Sequence, residues 1–353
     1  MARELTGAAA TVLTTWTEQQ EASTAAPDAG AAVLAALLGD HPASRAALRA
    51  WLRAIPRCSG AGLHGGFAGV LAGLRLAARV DPALGPLADR TAARLAARGR
   101  WRSREVGFAD YDLVSGPAGL LAVLPGAQAA REHLAALDVP EGFRIGGAAP
   151  AWTQGGVVTG LAHGVAGPLA VLGPGGAPDL ASWLVEHQET DELGVVSWRS
   201  RPDGARRAVV RRQAWCYGTP GISWALWTAG GSFAEAGLRA MDTLCAAYDE
   251  EVHLSDNPLS LCHGAAGVLL IADAFARRSP VGGVLRDRLL RFLHARLPDV
   301  LAMTDLSLLT GAIGVLAALL TAEGADREWL PLLALAGTSI AGPTATTAHE
   351  RRR

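Results

Sequence analysis

The hydrophobic positions of this chain fall into short contiguous runs separated by longer amphipathic stretches, and the two kinds alternate. Val70-Leu71-Ala72-Gly73-Leu74, Leu120-Leu121-Ala122-Val123-Leu124 and Val315-Leu316-Ala317-Ala318-Leu319 are apolar without a preferred face, the pattern of helices buried on all sides. Between them, Leu84, Leu87, Thr91 and Leu95 recur at helical spacing, with Asp89, Arg90, Arg94 and Arg98 on the other side. Over Val281 to Leu297, Leu285, Leu289, Phe292, Leu293 and Leu297 do the same, with Arg286, Arg288 and Arg291 turned mostly outward. Such stripes predict helices with one face on a core and the other in water. Ala31 to Leu38 followed by Arg45 to Ile55 predicts a further pair. No stretch alternates with period two for long enough to build a sheet. The pattern therefore predicts an all-α protein of paired helices, one buried and one facing solvent.

Each buried run opens on the same signature. Gly-x-x-Gly recurs at Gly66, Gly116, Gly164, Gly218, Gly264 and Gly311, with successive first glycines 50, 48, 54, 46 and 47 residues apart. A repeat of that period with an inner apolar and an outer amphipathic layer describes a solenoid or a closed ring. Closure would carry equivalent positions of all repeats to one end of a central cavity. The residues just before each first glycine would then meet: His64, Ser115, His163, Cys216 with Tyr217, Cys262 with His263, and Thr310.

That set contains metal chemistry. Cys216 and Cys262 are two of only four cysteines, and His263 follows Cys262 directly. Three such donors leave one corner of a tetrahedral zinc ion open to water or substrate. Adjacent residues share no helix face, so Cys262 and His263 can reach one ion only where the backbone turns, as Gly264 permits. The competing reading is of ordinary buried apolar cysteines; the repeat favours metal. Cys245, on an apolar face with Leu238, Met241 and Tyr248, reads as core, and Cys58 receives no role.

Composition narrows the field. Half of the 353 residues are hydrophobic and the net charge is −1, which supports a large core and removes any bulk electrostatic case for nucleic acid or an anionic membrane. Four cysteines without a disulfide-like spacing fit a reducing, cytoplasmic compartment. Met1 to Glu4 leads into a polar, Thr-rich stretch, so no signal peptide is read there. The apolar run Leu306 to Ala322 falls just short of a membrane span and is expected to be a buried helix. Glu189 to Gln213 is polar and carries Arg199, Arg201, Arg206, Arg207, Arg211 and Arg212, which predicts a long loop. Residues 1–340 are expected to form a single domain, followed by a disordered tail over 341–353.

Trp215-Cys216-Tyr217-Gly218, Leu261-Cys262-His263-Gly264 and Gly160-Leu161-Ala162-His163-Gly164 together resemble the motifs of the lanthionine synthetase C-like proteins, the cyclases that close thioether rings in lanthipeptides. The resemblance covers roughly Gly60 to Leu320. It implies an α/α toroid, a double-layered helical barrel of about seven helical hairpins, with zinc at one end held by Cys216, Cys262 and His263. It also implies catalytic or positioning roles for His163 and Tyr217, and, through a Tyr-Asp-x-x-x-Gly context and a position four residues before the first cysteine, for Asp112 and Arg212. Asp110 and Arg211 lie close enough to compete for those last two places. His64 matches no family role and reads as a hydrogen-bonded structural histidine.

The activity so implied is addition of a peptide Cys thiolate to dehydroalanine or dehydrobutyrine, giving (methyl)lanthionine. His163 would deliver the proton, Arg212 and Tyr217 would stabilise the enolate, and Asp112 would orient the histidine. The partners implied are a dehydrated precursor peptide and a separate dehydratase, since this chain has no room to make the acceptor. Two other readings use the same residues: addition of glutathione or another thiol to dehydrated peptides without ring closure, and a non-catalytic peptide-binding scaffold with structural zinc. A toroidal terpenoid or prenyl-transfer enzyme would want acidic clusters near these motifs, and none stands there.

Overall fold

The computed structural model describes residues 2–201, 212–254, 257–277 and 279–335. The expected tail over 341–353, and Arg206, Arg207 and Arg211, lie outside the described residues. Helices dominate: α1 (Ala2–Ala22), α2 (Gly30–Leu38), α3 (Pro42–Ala54), α4 (Phe67–Val80), α5 (Gly85–Ala96), α6 (Pro117–Val123), α7 (Gln128–Ala135) and α8 (Ala166–Leu172) make up the first half. The second half holds α9 (Pro178–Glu186), α10 (Thr219–Ala229), α11 (Gly231–Ala247), α12 (Glu250–His253), α13 (Ala265–Ala276), α14 (Pro280–Ala295), α15 (Leu297–Leu301) and α16 (Ala312–Ala322). The predicted loop after Glu189 carries a small antiparallel ladder, β1 (Glu189–Thr190) with β2 (Val196–Ser197).

Seven helices line the inside. In packing order they are α2, α4, α6, α8, α10, α13 and α16, and α16 returns to α2. The run Ala312 to Leu319 is wholly buried, as is nearly all of α13, which is why these sequences show no polar face. Outside them, α3, α5, α7, α9, α11 and α14 each pack on the inner helix that precedes them in the chain. The seventh outer place is taken by α1, which packs on α16 and α3 through Leu5, Ala9, Val12, Leu13 and Trp16. The ring is thus an α/α toroid of six hairpins contiguous in sequence and one assembled from the two ends of the chain.

The glycine signature is a steric device. In five inner helices the first glycine is the extended residue just before the helix, at Gly66, Gly116, Gly218, Gly264 and Gly311; α8 starts one residue later. The second glycine lies under its own preceding turn. A Cβ there would stand 2.0 Å from Leu261 O at Gly267 and 1.8 Å from Leu308 O at Gly314, so no other residue fits without displacing backbone. The same glycine receives a side chain from the previous repeat: Leu63 over Gly119, Leu161 over Gly221, Trp215 over Gly267, Leu261 over Gly314. Leu308 repeats the contact over Gly30, so Gly30 is the seventh member of the series and the place where the ring closes.

Backbone hydrogen bonds pass from turn to turn along the same rim. Leu63 N donates to Val114 O, Leu113 N to Ala162 O, Ala162 N to Cys216 O, Cys216 N to Cys262 O and Cys262 N to Leu309 O, at 2.8–3.4 Å. The circuit ends where Leu308 N donates to Asp28 Oδ2 at 2.6 Å. This chain of bonds, not local helix geometry, places residues some fifty positions apart side by side.

Three expectations need correction. The space inside the ring is not open throughout: residues 329–335 enter it, with Leu332, Leu333 and Leu335 fully buried. They are held by Trp215 Nε1 to Leu333 O at 2.9 Å, Trp224 Nε1 to Ala334 O at 2.8 Å and His64 Nε2 against Leu332 O at 3.1 Å. Arg286 does not face outward alone, because its guanidinium bonds the buried Asp273 at 2.8 Å. Leu84 precedes α5, and Leu297 begins α15 instead of ending α14. Among the described residues no helix is long and apolar enough to cross a membrane.

Candidate metal centre

Because consecutive turns are hydrogen-bonded to one another, the turns bearing His163, Cys216 and Cys262 stand in a row on the rim. Cys216, Cys262 and His263 point their ligand atoms into one spot, all within 4.8 Å of one another. Cys216 is buried; Cys262 and His263 are half-buried. His263 Nε2 lies 3.7 Å from Cys262 Sγ, and its backbone N–H is held by Ser260 Oγ at 3.2 Å. Two sulfurs and an imidazole at such separations form the donor set and spacing that a tetrahedral soft-metal site requires, with one corner left over.

The electrostatics of the three groups are coupled. A hydrogen bond from the Cys216 thiol, helped by His263, pulls the Cys262 thiol down to about 5, whereas burial pushes Cys216 up. The His263 imidazole is in turn raised by its bond to Cys262. Without a cation the site therefore holds one thiolate and one thiol, and a divalent ion would take the second proton's place.

His163 is presented beside this cluster and half-exposed, close enough for its charge to act on Cys262. Its Nδ1 meets Asp112 Oδ2 at 2.6 Å. The other carboxylate oxygen of Asp112 is fully occupied, accepting from Ser115 N at 2.7 Å, Ser115 Oγ at 3.0 Å and Gly116 N at 2.8 Å. Asp112 is thus locked by its own turn, and it locks the imidazole, leaving Nε2 as the ring atom able to act.

Asp110 belongs elsewhere. Its carboxylate takes Arg102 Nε at 3.0 Å, Arg102 Nη2 at 2.9 Å, Arg102 N at 3.0 Å and Gly107 N at 2.8 Å. Of the two aspartates in this turn, only Asp112 reaches the histidine. Tyr217 sits across the cluster, its ring 5.9 Å from that of His263. Arg212 is an exposed coil residue whose carbonyl oxygen lies against the Gly218 turn. Gly218 has φ +82, and a Cβ there would meet Gln213 Oε1 at 2.6 Å. The backbone path from Arg212 to the cysteine therefore depends on this glycine.

The remaining motif residues serve the frame. His64 bonds Leu332 O and is pulled down to about 4 by burial. Thr310 bonds Asp305 Oδ2 at 2.6 Å, and Ser115 completes the Asp112 turn. Cys58 is buried with its Sγ 3.5 Å from Pro27 O, and burial pushes Cys245 up to about 12. Two contacts carry no sequence signal of their own. Phe108 stacks on the His163 ring at 4.6 Å, and the Tyr111 hydroxyl donates to His163 O at 3.0 Å. An aromatic three or four residues before a turn aspartate is unremarkable in a loop until the neighbouring repeat is laid against it.

Residues 177–333 match the family described as lanthionine synthetase C-like protein. No curated protein matches the chain by sequence. Among solved structures, one titled nisin cyclase superposes with a TM-score of 0.76, over 92% of this chain and 95% of that one, at 17% sequence identity. A likeness at that identity establishes the α/α toroid, and the chemistry has to be argued from the residues.

Proposed function

We propose that this chain, a member of the lanthionine synthetase C-like family by that match and by its fold, is a zinc-dependent cyclase that closes (methyl)lanthionine rings in a dehydrated precursor peptide. The observation that carries the reading is the meeting of Cys216, Cys262 and His263 within 4.8 Å next to a histidine oriented by a buried carboxylate. Held by those three residues, zinc would supply the Lewis acidity that turns an incoming cysteine thiol into a nucleophilic thiolate at neutral pH.

This chain's own groups do the rest. The peptide sulfur adds to the β-carbon of dehydroalanine or dehydrobutyrine, and the π electrons move onto the adjacent carbonyl as an enolate. Tyr217 and Arg212 offer donors to that oxygen. His163 Nε2 returns a proton to the α-carbon, so the proton lost by the thiol is balanced and no other reactant is consumed. Asp112 holds the imidazole in the tautomer and orientation that this transfer needs. The acceptor must be made beforehand by a separate dehydratase.

The purified protein is expected to carry about one zinc per chain and to convert a Cys- and dehydroalanine-containing peptide into a product of unchanged mass that has lost its free thiol. Addition of an external thiol would instead raise the mass by that of the thiol. His163→Ala is expected to keep the metal and lower cyclisation by about 10²-fold or more, whereas Cys262→Ala loses both. Retention of full zinc content by Cys262→Ala, measured by elemental analysis, would reject the ligand set.

A further inference from the structure

A concentrated basic segment leads into the candidate site and has no part in the chemistry above. Arg98, Arg100, Arg102 and Arg104 alternate along the extended stretch between α5 and the Asp112 turn, in a chain whose net charge is −1. Arg102 is committed to the buried Asp110. Trp101 packs on His133 with ring centres 5.4 Å apart, and His133 Nε2 meets Asp110 O at 2.8 Å. The segment is therefore pinned at its middle. Arg98, Arg100 and Arg104 remain exposed, and among the described residues none of them makes an ion pair.

Arg98, Arg100 and Trp101 form one side of a groove of about 400 Å³ whose other side includes Ala61. Ala61 lies in the first motif turn, and Leu63 N of that turn donates to Val114 O in the turn holding Asp112. The groove thus opens at the same end of the ring as the cysteines. Beyond Arg104 the chain runs through Val106 to Phe108, whose ring stacks on His163. Charge, groove and catalytic histidine are consecutive along one stretch of backbone.

We infer that the Arg98–Arg104 arm receives an acidic stretch of the peptide substrate and so directs the flanking part towards His163; this rests on the cyclase reading. Guanidinium groups pair carboxylates through two parallel hydrogen bonds, and exposed arginines beside a groove steer and orient an anionic chain. A peptide is the anion favoured here, because the groove leads to a centre where a peptide must lie.

Binding is measured by fluorescence anisotropy, using a labelled peptide with one Cys, one dehydroalanine and a run of glutamates, and its twin with glutamines in place of the glutamates. The native protein is expected to hold the glutamate peptide about tenfold more tightly, with the gap closing at high salt. The triple variant Arg98→Gln, Arg100→Gln, Arg104→Gln, which leaves the Arg102–Asp110 anchor in place, is expected to bind both peptides equally. Equal affinity of the native protein for the two peptides overturns the inference, as does a preference that survives the triple substitution. Vesicles containing phosphatidylserine form a third arm: arginine-dependent binding to them without any glutamate preference would assign the segment to a lipid surface and also overturn it. Cyclisation of a short neutral peptide is scored separately. Its failure counts against the cyclase, whereas its success without a glutamate preference counts against the arm alone.

Discussion

At the scale of single residues, the arrangement around His163 consists of restraints on one ring. Asp112 takes its Nδ1, Phe108 covers one face, and Tyr111 fixes its carbonyl. If Asp112 acts by holding the tautomer, Asp112→Asn should retain the metal yet slow ring closure by about 10²-fold or more, since the amide can present a donor where Nδ1–H needs an acceptor. Elemental analysis beside initial rates checks this; a variant with unchanged rate would remove Asp112 from the mechanism. The sequence narrowed this position only to a choice of two. Asp110 and Asp112 share an irregular turn, and which one faces inward depends on Arg102 closing back on Asp110, a contact no periodicity encodes. Phe108 was invisible for the same reason, because its partner lies in the next repeat.

At the scale of elements, the legible feature was steric. The paired glycines recur because the turn before each inner helix folds back over that helix, and the spacing survives divergence of every residue around it. Gly267→Ala is expected to cost about 3 kcal/mol or more, because the new methyl would stand 2.0 Å from Leu261 O and 2.8 Å from Trp215 Cβ in a rim that has no room to yield. Gly7→Ala, inside α1 with nothing within 4 Å of the new methyl, should instead stabilise by about 0.5–1 kcal/mol. Chemical denaturation of the two variants measures both, and equal stabilities would deny that the signature is a packing requirement. The helix α1 itself was not foreseen. Its buried residues Leu5, Ala9, Val12, Leu13 and Trp16 do recur at helical spacing, but threonines and glutamines between them dilute the stripe, and its partner α16 lies at the far end of the sequence. Gly30 likewise stood outside the predicted series because no second glycine precedes it at the right distance.

At the scale of the whole molecule, the ring is closed by α1 against α16 and filled from within by residues 329–335, and His64 is the titratable group that touches this filling. In the folded protein its imidazole is pulled down to about 4 from an ordinary 6.5 by burial, against the bond it makes to Leu332 O. The unfolded chain therefore takes up the proton first as pH falls, and the stability that comes from the neutral ring is fully present above about 6.5 and is lost between about 6.5 and about 4. The loss attributable to this residue should reach about 2 kcal/mol. His64→Gln keeps an amide donor for Leu332 O but cannot titrate, so it should lose about that much less than the native protein between neutral and mildly acid pH. Acid also protonates the cysteine and histidine donors of the candidate metal centre, but both proteins carry them and that effect cancels in the comparison. Parallel denaturant titrations at the two pH values settle the matter. Identical losses in both proteins would mean that the segment inside the ring is held without regard to the protonation of His64, and that the acid sensitivity of the toroid arises elsewhere on its rim.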